Sequence, residues 1–184
     1  MFTEEQGRLL IALARAAIAG EFGEPATALP HPDWLDAPGA VFVTLTLAGR
    51  LRGCIGSLEA QRSLGRDLEH NARAAAFSDP RFPPLAHAEL AKVKVEVSIL
   101  TPAIPLAFAD EADALAQLRP GVDGVILEYG WHRATFLPQV WEQLPEPRVF
   151  MSHLKQKAGL SADFWASDLR LSRYGVEKFK ETDK

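Results

Sequence analysis

The sequence predicts an α/β chain of the α+β type, in which a mostly antiparallel sheet is flanked by helices. Two stretches, Val41–Leu47 and Lys92–Leu100, alternate apolar and polar residues along their whole length, which is typical of strands with one buried face. In Thr3–Ala19 and Ser63–Phe77, apolar residues recur at helical spacing, which predicts two helices with one apolar stripe each. Strands and helices that each have one apolar face are expected to pack together as layers.

The elements of the first half follow from local signals. Thr3 and Gln6 stand at the spacing of a capping box, which places the start of the first helix at Thr3. Gly20 ends this helix, and the proline-bearing segment Glu21–Gly39 is expected to be a loop. A turn at Ala48-Gly49-Arg50 joins Val41–Leu47 to a second strand, Leu51–Cys54, as a hairpin.

The second half begins with a proline-bearing link, Thr101–Ala109, which is a candidate lobe boundary. The elements predicted after it are a short helix capped by Asp110, a hairpin of Val125–Tyr129 and Arg133–Leu137, a helical turn at Pro138–Leu144, a helix from Pro147 to Gly159, a strand at Leu169–Tyr174 and a frayed charged tail at Glu177–Lys184. We therefore expect one domain over residues 1–184, with a smaller lobe within residues 101–145.

Composition and charge narrow the class of protein. The net charge is -4, which argues against non-specific binding to nucleic acid. A single cysteine permits no internal disulfide and suits a reducing cytoplasm. The start of the chain is acidic and lacks the basic region of a signal peptide, and no apolar run approaches the ~20 residues of a membrane span. We expect a cytoplasmic protein that does not enter the membrane.

The stretch Leu51–Gly56 carries the densest set of reactive residue types. Side chains alternate along a strand, so Arg52 and Cys54 are expected on the same face. A nearby cation favours the thiolate form of a cysteine, and an arginine can hold a carboxylate or phosphate in a fork. Gly53 and Gly56 would let a ligand or another backbone approach closely. The alternatives are a cysteine that only fills space and glycines that only mark a bulge.

Carboxylates elsewhere in the chain are candidate partners for Arg52. The loop Phe77–Pro84 contains three prolines, so it should present Asp79 and Arg81 on a stiff backbone. These two residues either face a ligand or form an internal ion pair. Glu96 meets Arg52 if their strands are neighbours, although alternation also predicts a solvated face there. We expect a carboxylate against Arg52, with Glu96 the first choice and Asp79 the second.

Metal and cofactor signals are weak. The one cysteine excludes a cysteine-based zinc or iron–sulfur site, and the five histidines are scattered without helical metal-ligand spacing. The glycines Gly121 and Gly124 lack the spacing and the Lys-Ser/Thr ending of a phosphate loop. The sequence therefore predicts no metal and no cofactor.

Five segments, in this order, resemble the AMMECR domain family, whose bacterial and archaeal members are called AmmeMemoRadiSam system protein A. They are Leu51–Gly56, Phe77–Pro84, Glu96–Thr101, Ala134–Trp141 and Leu154–Leu160. The resemblance implies an α/β fold of two unequal lobes, with the Arg52–Gly56 segment near a cleft. It also implies a Memo-like protein and a radical S-adenosylmethionine protein as partners.

With this resemblance we expect an enzyme or enzyme component in a radical-based modification pathway, whose reaction stays open. Arg52 would bind a small anionic ligand, Cys54 would act as nucleophile or covalent carrier, and Glu96 would orient Arg52. The other residues expected at the ligand or lining the cleft are Gly53, Ile55, Gly56, Asp79, Arg81, Thr135 and Gln139. The rival is a non-catalytic binding or scaffold module for the same partners. A weaker alternative is an RNA-associated factor, which the net charge disfavours.

Overall fold

The structure is a computed structural model that describes residues 1–26 and 28–181. It confirms a mixed α+β fold with antiparallel sheets flanked by helices. The chain divides into two compact units, one containing Met1–Leu100 and the C-terminal residues from Glu177, and the other containing Thr101–Val176. The division falls at Thr101, and the second unit runs beyond the 101–145 range given for the smaller lobe.

The first unit is built on a four-stranded sheet. Its elements in chain order are α1 (Glu4–Glu21), a 3₁₀ helix (Asp33–Leu35), β1 (Pro38–Gly39), β2 (Val41–Leu47), β3 (Arg50–Gly56), β4 (Arg62–Ser63), α2 (Leu64–Phe77), α3 (His87–Leu90) and β5 (Lys94–Leu100). The strand order is β10-β5-β2-β3, where β10 (Val176–Lys180) comes from the C-terminus, and β2 is antiparallel to both of its neighbours. The three predicted strands and the two long predicted helices are confirmed.

One face of this sheet is covered by α1 and α2. The residues buried between the layers include Leu10, Ile18, Val43, Leu45, Leu68, Ala72, Val95 and Val97. The predicted capping box is present, since the Gln6 N–H donates to Thr3 Oγ1 at 3.2 Å and the Thr3 N–H donates to Gln6 Oε1 at 2.8 Å. Because side chains alternate on each strand, the other face presents polar groups such as Thr44, Cys54 and Glu96.

The prediction of a frayed C-terminal tail is wrong for residues 177–181, and residues 182–184 lie outside the described part. Strand β10 joins the sheet, and the Phe179 ring packs so closely over Gly7 that a Cβ there would lie 2.0 Å from it. The Glu181 carboxylate accepts from Arg15 Nη2 and from the Val95 N–H, both at 2.8 Å. Gly7, Arg15 and Val95 are all far from the C-terminus in sequence. The prediction of a frayed tail used only the charged residues of the tail itself, which carry no information about these distant partners.

The second unit pairs a second antiparallel sheet with two helices. Its elements are β6 (Ile104–Leu106), α4 (Glu111–Gln117), β7 (Gly124–Tyr129), β8 (His132–Phe136), a 3₁₀ helix (Pro138–Glu142), α5 (Pro147–Lys157) and β9 (Arg170–Tyr174), with strand order β6-β9-β7-β8. The predicted hairpin is confirmed, and Gly130 at φ +56° forms its two-residue turn with Trp131. Trp141 and Phe150 stack in the core at 3.7 Å between ring centroids.

No helix within residues 1–26 and 28–181 is long and apolar enough to cross a bilayer.

Candidate functional site

Strand β3 forms an edge of the first sheet and carries the reactive stretch. Leu45 pairs with Gly53 and Thr46 pairs with Leu51, so Arg52 is an extra residue on β3 with no partner on β2. Such a β-bulge interrupts the alternation of side chains and bends the strand. The prediction that Arg52 and Cys54 share a face assumed an unbroken strand, and the bulge removes its basis.

All three nitrogens of the Arg52 guanidinium donate hydrogen bonds to groups of the first unit. Its Nε and Nη2 donate to the two oxygens of Glu89, both at 2.9 Å, while Nη1 donates to the Pro83 carbonyl at 2.9 Å and Nη2 to the Pro84 carbonyl at 3.3 Å. The hydrogen bonds that Arg52 donates to Glu89 raise the pKa of Arg52 and lower the pKa of Glu89. Arg52 thus anchors the proline loop, and its fork is already occupied by a carboxylate.

The predicted partners of Arg52 are therefore wrong, although a carboxylate is bound as expected. Glu96 lies on β5, and β2 stands between β5 and β3. Its carboxylate is 2.9 Å from the Nζ of Lys180 on β10. Asp79 instead binds Arg81. The true partner, Glu89, lies in a four-residue helix that the sequence pattern did not predict.

Asp79 and Arg81 together bind the free edge of β3 at Cys54. The Cys54 N–H donates to Asp79 Oδ2 at 2.9 Å, and Arg81 Nη2 donates to the Cys54 carbonyl at 3.2 Å. Arg81 also donates to Asp79 through its backbone N–H at 3.0 Å, Nε at 2.9 Å and Nη2 at 2.7 Å. The Asp79 side chain is 2% exposed and that of Arg81 is 54% exposed. A buried carboxylate therefore holds a half-exposed guanidinium against the backbone of Cys54.

The electrostatics of this pair are strongly coupled. The hydrogen bond from Arg81 holds the pKa of Asp79 well below its usual range, against the opposing effect of burial, and the Cys54 and Arg81 N–H groups lower it further. The hydrogen bond to Asp79 raises the pKa of Arg81, burial opposes this, and the charge of Asp79 and the interaction with Cys54 raise it again. Both groups stay charged at neutral pH, so the cation beside Cys54 is Arg81 rather than Arg52.

Polar groups surround the Cys54 thiol. Thr44 stands opposite Cys54 on β2, and its hydroxyl donates to Cys54 Sγ at 3.3 Å. The cysteine is half-buried and lies outside the apolar core of the first unit. A hydroxyl donor and a guanidinium therefore both lie close to the thiol. Thr44 is a site residue that sequence reasoning missed, although the hairpin register would have placed it opposite Cys54.

Glu96 lies on the same sheet face as the thiol. Thr44 pairs with Cys54 on one side and with Glu96 on the other, so the three residues form a row across β3, β2 and β5. The structure therefore brings together Cys54, Thr44, Asp79 and Arg81, with Glu96 one strand beyond Thr44.

The glycines and Ile55 serve packing. A Cβ on Gly53 would lie 2.0 Å from the carbonyl oxygen of Ala75, so this glycine lets α2 approach β3. A Cβ on Gly56 would lie 2.2 Å from the Phe42 ring. Ile55 packs against the core beneath α2, on the side of the strand away from Cys54. That these three residues contact a ligand stays a prediction.

Thr135 and Gln139 lie in the second unit. The Thr135 hydroxyl is 2.9 Å from the Tyr174 hydroxyl, and Lys157 Nζ donates to the Thr135 carbonyl at 2.9 Å. Gln139 is exposed on the 3₁₀ helix Pro138–Glu142. That these two residues line a cleft stays a prediction. Within the described ranges, no group of three or more His, Cys, Asp or Glu side chains is arranged to hold a metal ion.

Comparisons with known proteins cover nearly the whole chain. The AMMECR1 family model matches residues 11–179. A protein of Methanothermobacter thermautotrophicus is 40% identical over 184 residues, which cover 97% of this chain and 96% of the relative. A protein of Saccharolobus solfataricus is 40% identical over 188 residues, covering 97% and 83%. The crystal structure of an uncharacterized protein from Pyrococcus horikoshii matches with a TM-score of 0.79 at 32% identity, covering 98% of this chain and 93% of that chain.

Proposed function

The chain belongs to the AMMECR1 family, and from that premise we propose that it is an enzyme or enzyme component that binds a small anionic ligand beside the Cys54 thiol. In this proposal Arg81 binds the anionic group, which is the role that the sequence had suggested for Arg52. Cys54 acts as nucleophile or covalent carrier, and Thr44 orients its sulfur. The Memo-like and radical S-adenosylmethionine proteins that the resemblance implies are its proposed partners.

The observation that carries this proposal is the way Asp79 fixes Arg81. Asp79 engages Nε and Nη2 of Arg81, and Nη1 makes no hydrogen bond to any residue within 1–26 or 28–181. The Arg81 guanidinium also lies 5.6 Å from the Phe82 ring centroid, which restricts it further. A restrained guanidinium with unused donors loses little entropy when it binds an anion. Its proximity to a half-buried thiol places the bound anion within reach of a nucleophile.

A pair of matched alkylating reagents tests the proposal. Iodoacetate and iodoacetamide have nearly the same shape, and only iodoacetate is negatively charged. We expect folded protein to favour iodoacetate at Cys54 compared with the same protein unfolded in urea. An exposed charge interaction is worth about 0.2–1 kcal/mol, so Arg81→Gln should lower the iodoacetate-to-iodoacetamide rate ratio by up to about fivefold. The single cysteine makes intact mass a direct measure of labelling.

Arg119→Gln in the second unit is the control. Arg119 forms a matching ion pair with the buried Asp123, its Nη2 lying 2.6 Å from Oδ1. This variant should leave the rate ratio at Cys54 unchanged. An anion site at Arg81 would be ruled out if the iodoacetate-to-iodoacetamide rate ratio were the same in folded and unfolded wild-type protein. It would also be ruled out if Arg81→Gln left this ratio unchanged.

The second candidate is the non-catalytic binding or scaffold module. It is favoured by the hydrogen bonds that Asp79 and Arg81 make to the edge of β3. These bonds hold the proline loop on the strand, which is a structural role that needs no catalysis. A Cys54→Ser variant separates the two functions. If the protein is catalytic, the variant should still bind the Memo-like and radical S-adenosylmethionine proteins but should no longer support the modification reaction. If the protein is a scaffold, the variant should keep both the binding and the reaction.

A further inference from the structure

The face of the first sheet that carries the Cys54 thiol also carries an aromatic ring. Phe42 pairs with Gly56 on β3, two residues along each strand from the pair formed by Thr44 and Cys54, and the register is unshifted between the two pairs. Side chains two residues apart on a strand point to the same face. Phe42, Thr44 and Cys54 therefore lie on one face of the sheet.

Gly56 sets the position of this ring. A Cβ on Gly56 would lie 2.2 Å from the Phe42 ring, so the ring lies over the bare backbone of β3. Phe42 and Cys54 are diagonal neighbours across the strand pair. Such neighbours are about 7–8 Å apart, a distance that aromatic side chains still reach across. The ring is thereby held beside the thiol.

The Phe42 side chain lies outside the apolar core. It is half-buried, whereas its neighbours Val41 and Val43 are fully buried. Within the described part of the chain, the partly buried aromatic residues that pack against the core of the first unit include Phe2 and Phe179 but not Phe42. Covering the rest of the ring with a ligand would therefore remove apolar surface from water that the fold itself leaves exposed.

Arg81 fixes where the charged group of a ligand would lie. Its Nη2 is 3.2 Å from the Cys54 carbonyl oxygen, at the free edge of β3. From this edge, the body of a ligand can extend over the sheet in two directions. Straight across the strands it would reach Glu96, whose carboxylate lies 2.9 Å from the Nζ of Lys180, and covering that ion pair with apolar groups is costly. On the diagonal it reaches the Phe42 ring, where an apolar contact desolvates no charge.

We propose that the ligand of the Cys54 site is an organic anion with an aromatic body, and that Phe42 determines this specificity. The inference rests on the proposed function and adds the class of ligand to it. The anionic group accepts hydrogen bonds from Arg81, and the aromatic body packs against the exposed side of the Phe42 ring. Offset-stacked or edge-to-face contact is the arrangement that aromatic pairs prefer. Because Gly56 already positions the Phe42 ring, little entropy is lost when the ligand binds.

Protection of Cys54 from alkylation tests the inference. The full chain reacts with the neutral reagent iodoacetamide at rising concentrations of 3-phenylpropanoate, and intact mass gives the labelling rate. Propanoate keeps the charge without the ring, and 3-phenylpropanamide keeps the ring without the charge. We expect 3-phenylpropanoate to give half-maximal protection at a concentration about two- to tenfold lower than propanoate, the effect of one aromatic contact. The same concentration should be up to about fivefold lower than for the amide, the effect of one exposed charge interaction.

Two substitutions of Phe42 separate the ring from apolar bulk. Phe42→Leu keeps an apolar side chain without the ring, so 3-phenylpropanoate should protect this variant no better than propanoate does. Phe42→Tyr keeps the ring and should retain the wild-type protection. Phe2→Leu is the matched control, because Phe2 is also half-buried in the first unit but packs against Trp34, at 5.6 Å between ring centroids. It should leave the protection unchanged.

The inference is overturned if 3-phenylpropanoate and propanoate protect wild-type protein equally, if Phe42→Leu is protected like wild type, or if Phe2→Leu loses as much protection as Phe42→Leu. In each of these cases, a retained preference of the folded protein for iodoacetate over iodoacetamide would leave the anion site at Arg81 standing. Absence of that preference in wild-type protein would instead refute the proposed function. If Phe42→Leu unfolds, its rate ratio will match that of the urea-unfolded chain, and the three compounds on wild-type protein and Phe42→Tyr then decide the question.

Discussion

Replacing Asp79 by asparagine should destabilise the first unit by about 3 kcal/mol. Four N–H groups converge on the carboxylate, with Cys54 N–H and Arg81 Nη2 on Oδ2, and Arg81 N–H and Nε on Oδ1. An asparagine keeps one oxygen, so two of these donors would face an amide NH₂. A buried donor without an acceptor costs about 1–3 kcal/mol, and breaking a buried ion pair costs about 3–5 kcal/mol. The exposure of Arg81 lets water recover part of this loss, which places the estimate at the lower end.

Urea unfolding followed by circular dichroism measures this change. For an m-value near 2 kcal/mol/M, the midpoint should fall by about 1.5 M. The matched control is Asp123→Asn, because Asp123 is 1% exposed, pairs with the 59% exposed Arg119, and accepts the Arg119 N–H at 2.9 Å. Both variants should be destabilised, but only Asp79→Asn should speed hydrogen exchange of the Cys54 amide. A loss below about 1 kcal/mol, or equal exchange at Cys54 in both variants, would refute the reasoning.

The same carboxylate predicts a dependence of stability on pH. The pKa of Asp79 is lower in the folded state than in the unfolded chain, where a carboxyl of this type titrates at ~3.9. Its contribution is therefore fully present above the unfolded pKa and is lost as the pH falls through the folded pKa. The stability difference between wild-type protein and Asp79→Asn should be constant from about pH 7 to pH 5 and shrink below about pH 4.

Three further substitutions test other contacts and positions of the first unit. Gly53→Ala should lower the free energy of unfolding by about 2–3 kcal/mol, because the new Cβ would lie 2.0 Å from the Ala75 carbonyl oxygen. A Cβ on Gly20 has no atom within 4 Å, so Gly20→Ala should stabilise α1 by up to about 1 kcal/mol. Equal thermal stability of the two variants would contradict this. Glu181→Gln should lower the free energy of unfolding by about 1–3 kcal/mol by breaking the pair with Arg15. Burial works to raise the pKa of Glu181, but hydrogen bonds from Arg15 and Val95 hold it below its ordinary value, so the difference from wild type should disappear in acid. A difference that persists in acid would show that Glu181 acts through its shape.

Much of the architecture followed from the sequence because its signals are local. The alternation in Val41–Leu47, the capping box at Thr3 and the glycine at the tip of the β7–β8 hairpin each involve neighbouring residues, and the structure confirms them. The contacts of the site were harder to predict. Arg52 was expected to meet a carboxylate and does, but the order of strands and the bulge at Arg52 decide which one.

By itself the sequence determined the fold class, the three strands β2, β3 and β5 and the two long helices of the first unit, the hairpin of the second unit and the family. These depend on patterns with periods of two or 3.6 residues and on short motifs, which act over a few residues. Only the tertiary structure decided that β10 completes the first sheet, that Arg52 is bound by Glu89, and that Arg81 stands beside Cys54. These contacts join residues that lie between 27 and 175 positions apart, as with Arg81 and Cys54 or Phe2 and Glu177. Hydrogen bonds and ion pairs act over a few ångströms, so their partners are fixed only after the chain has folded.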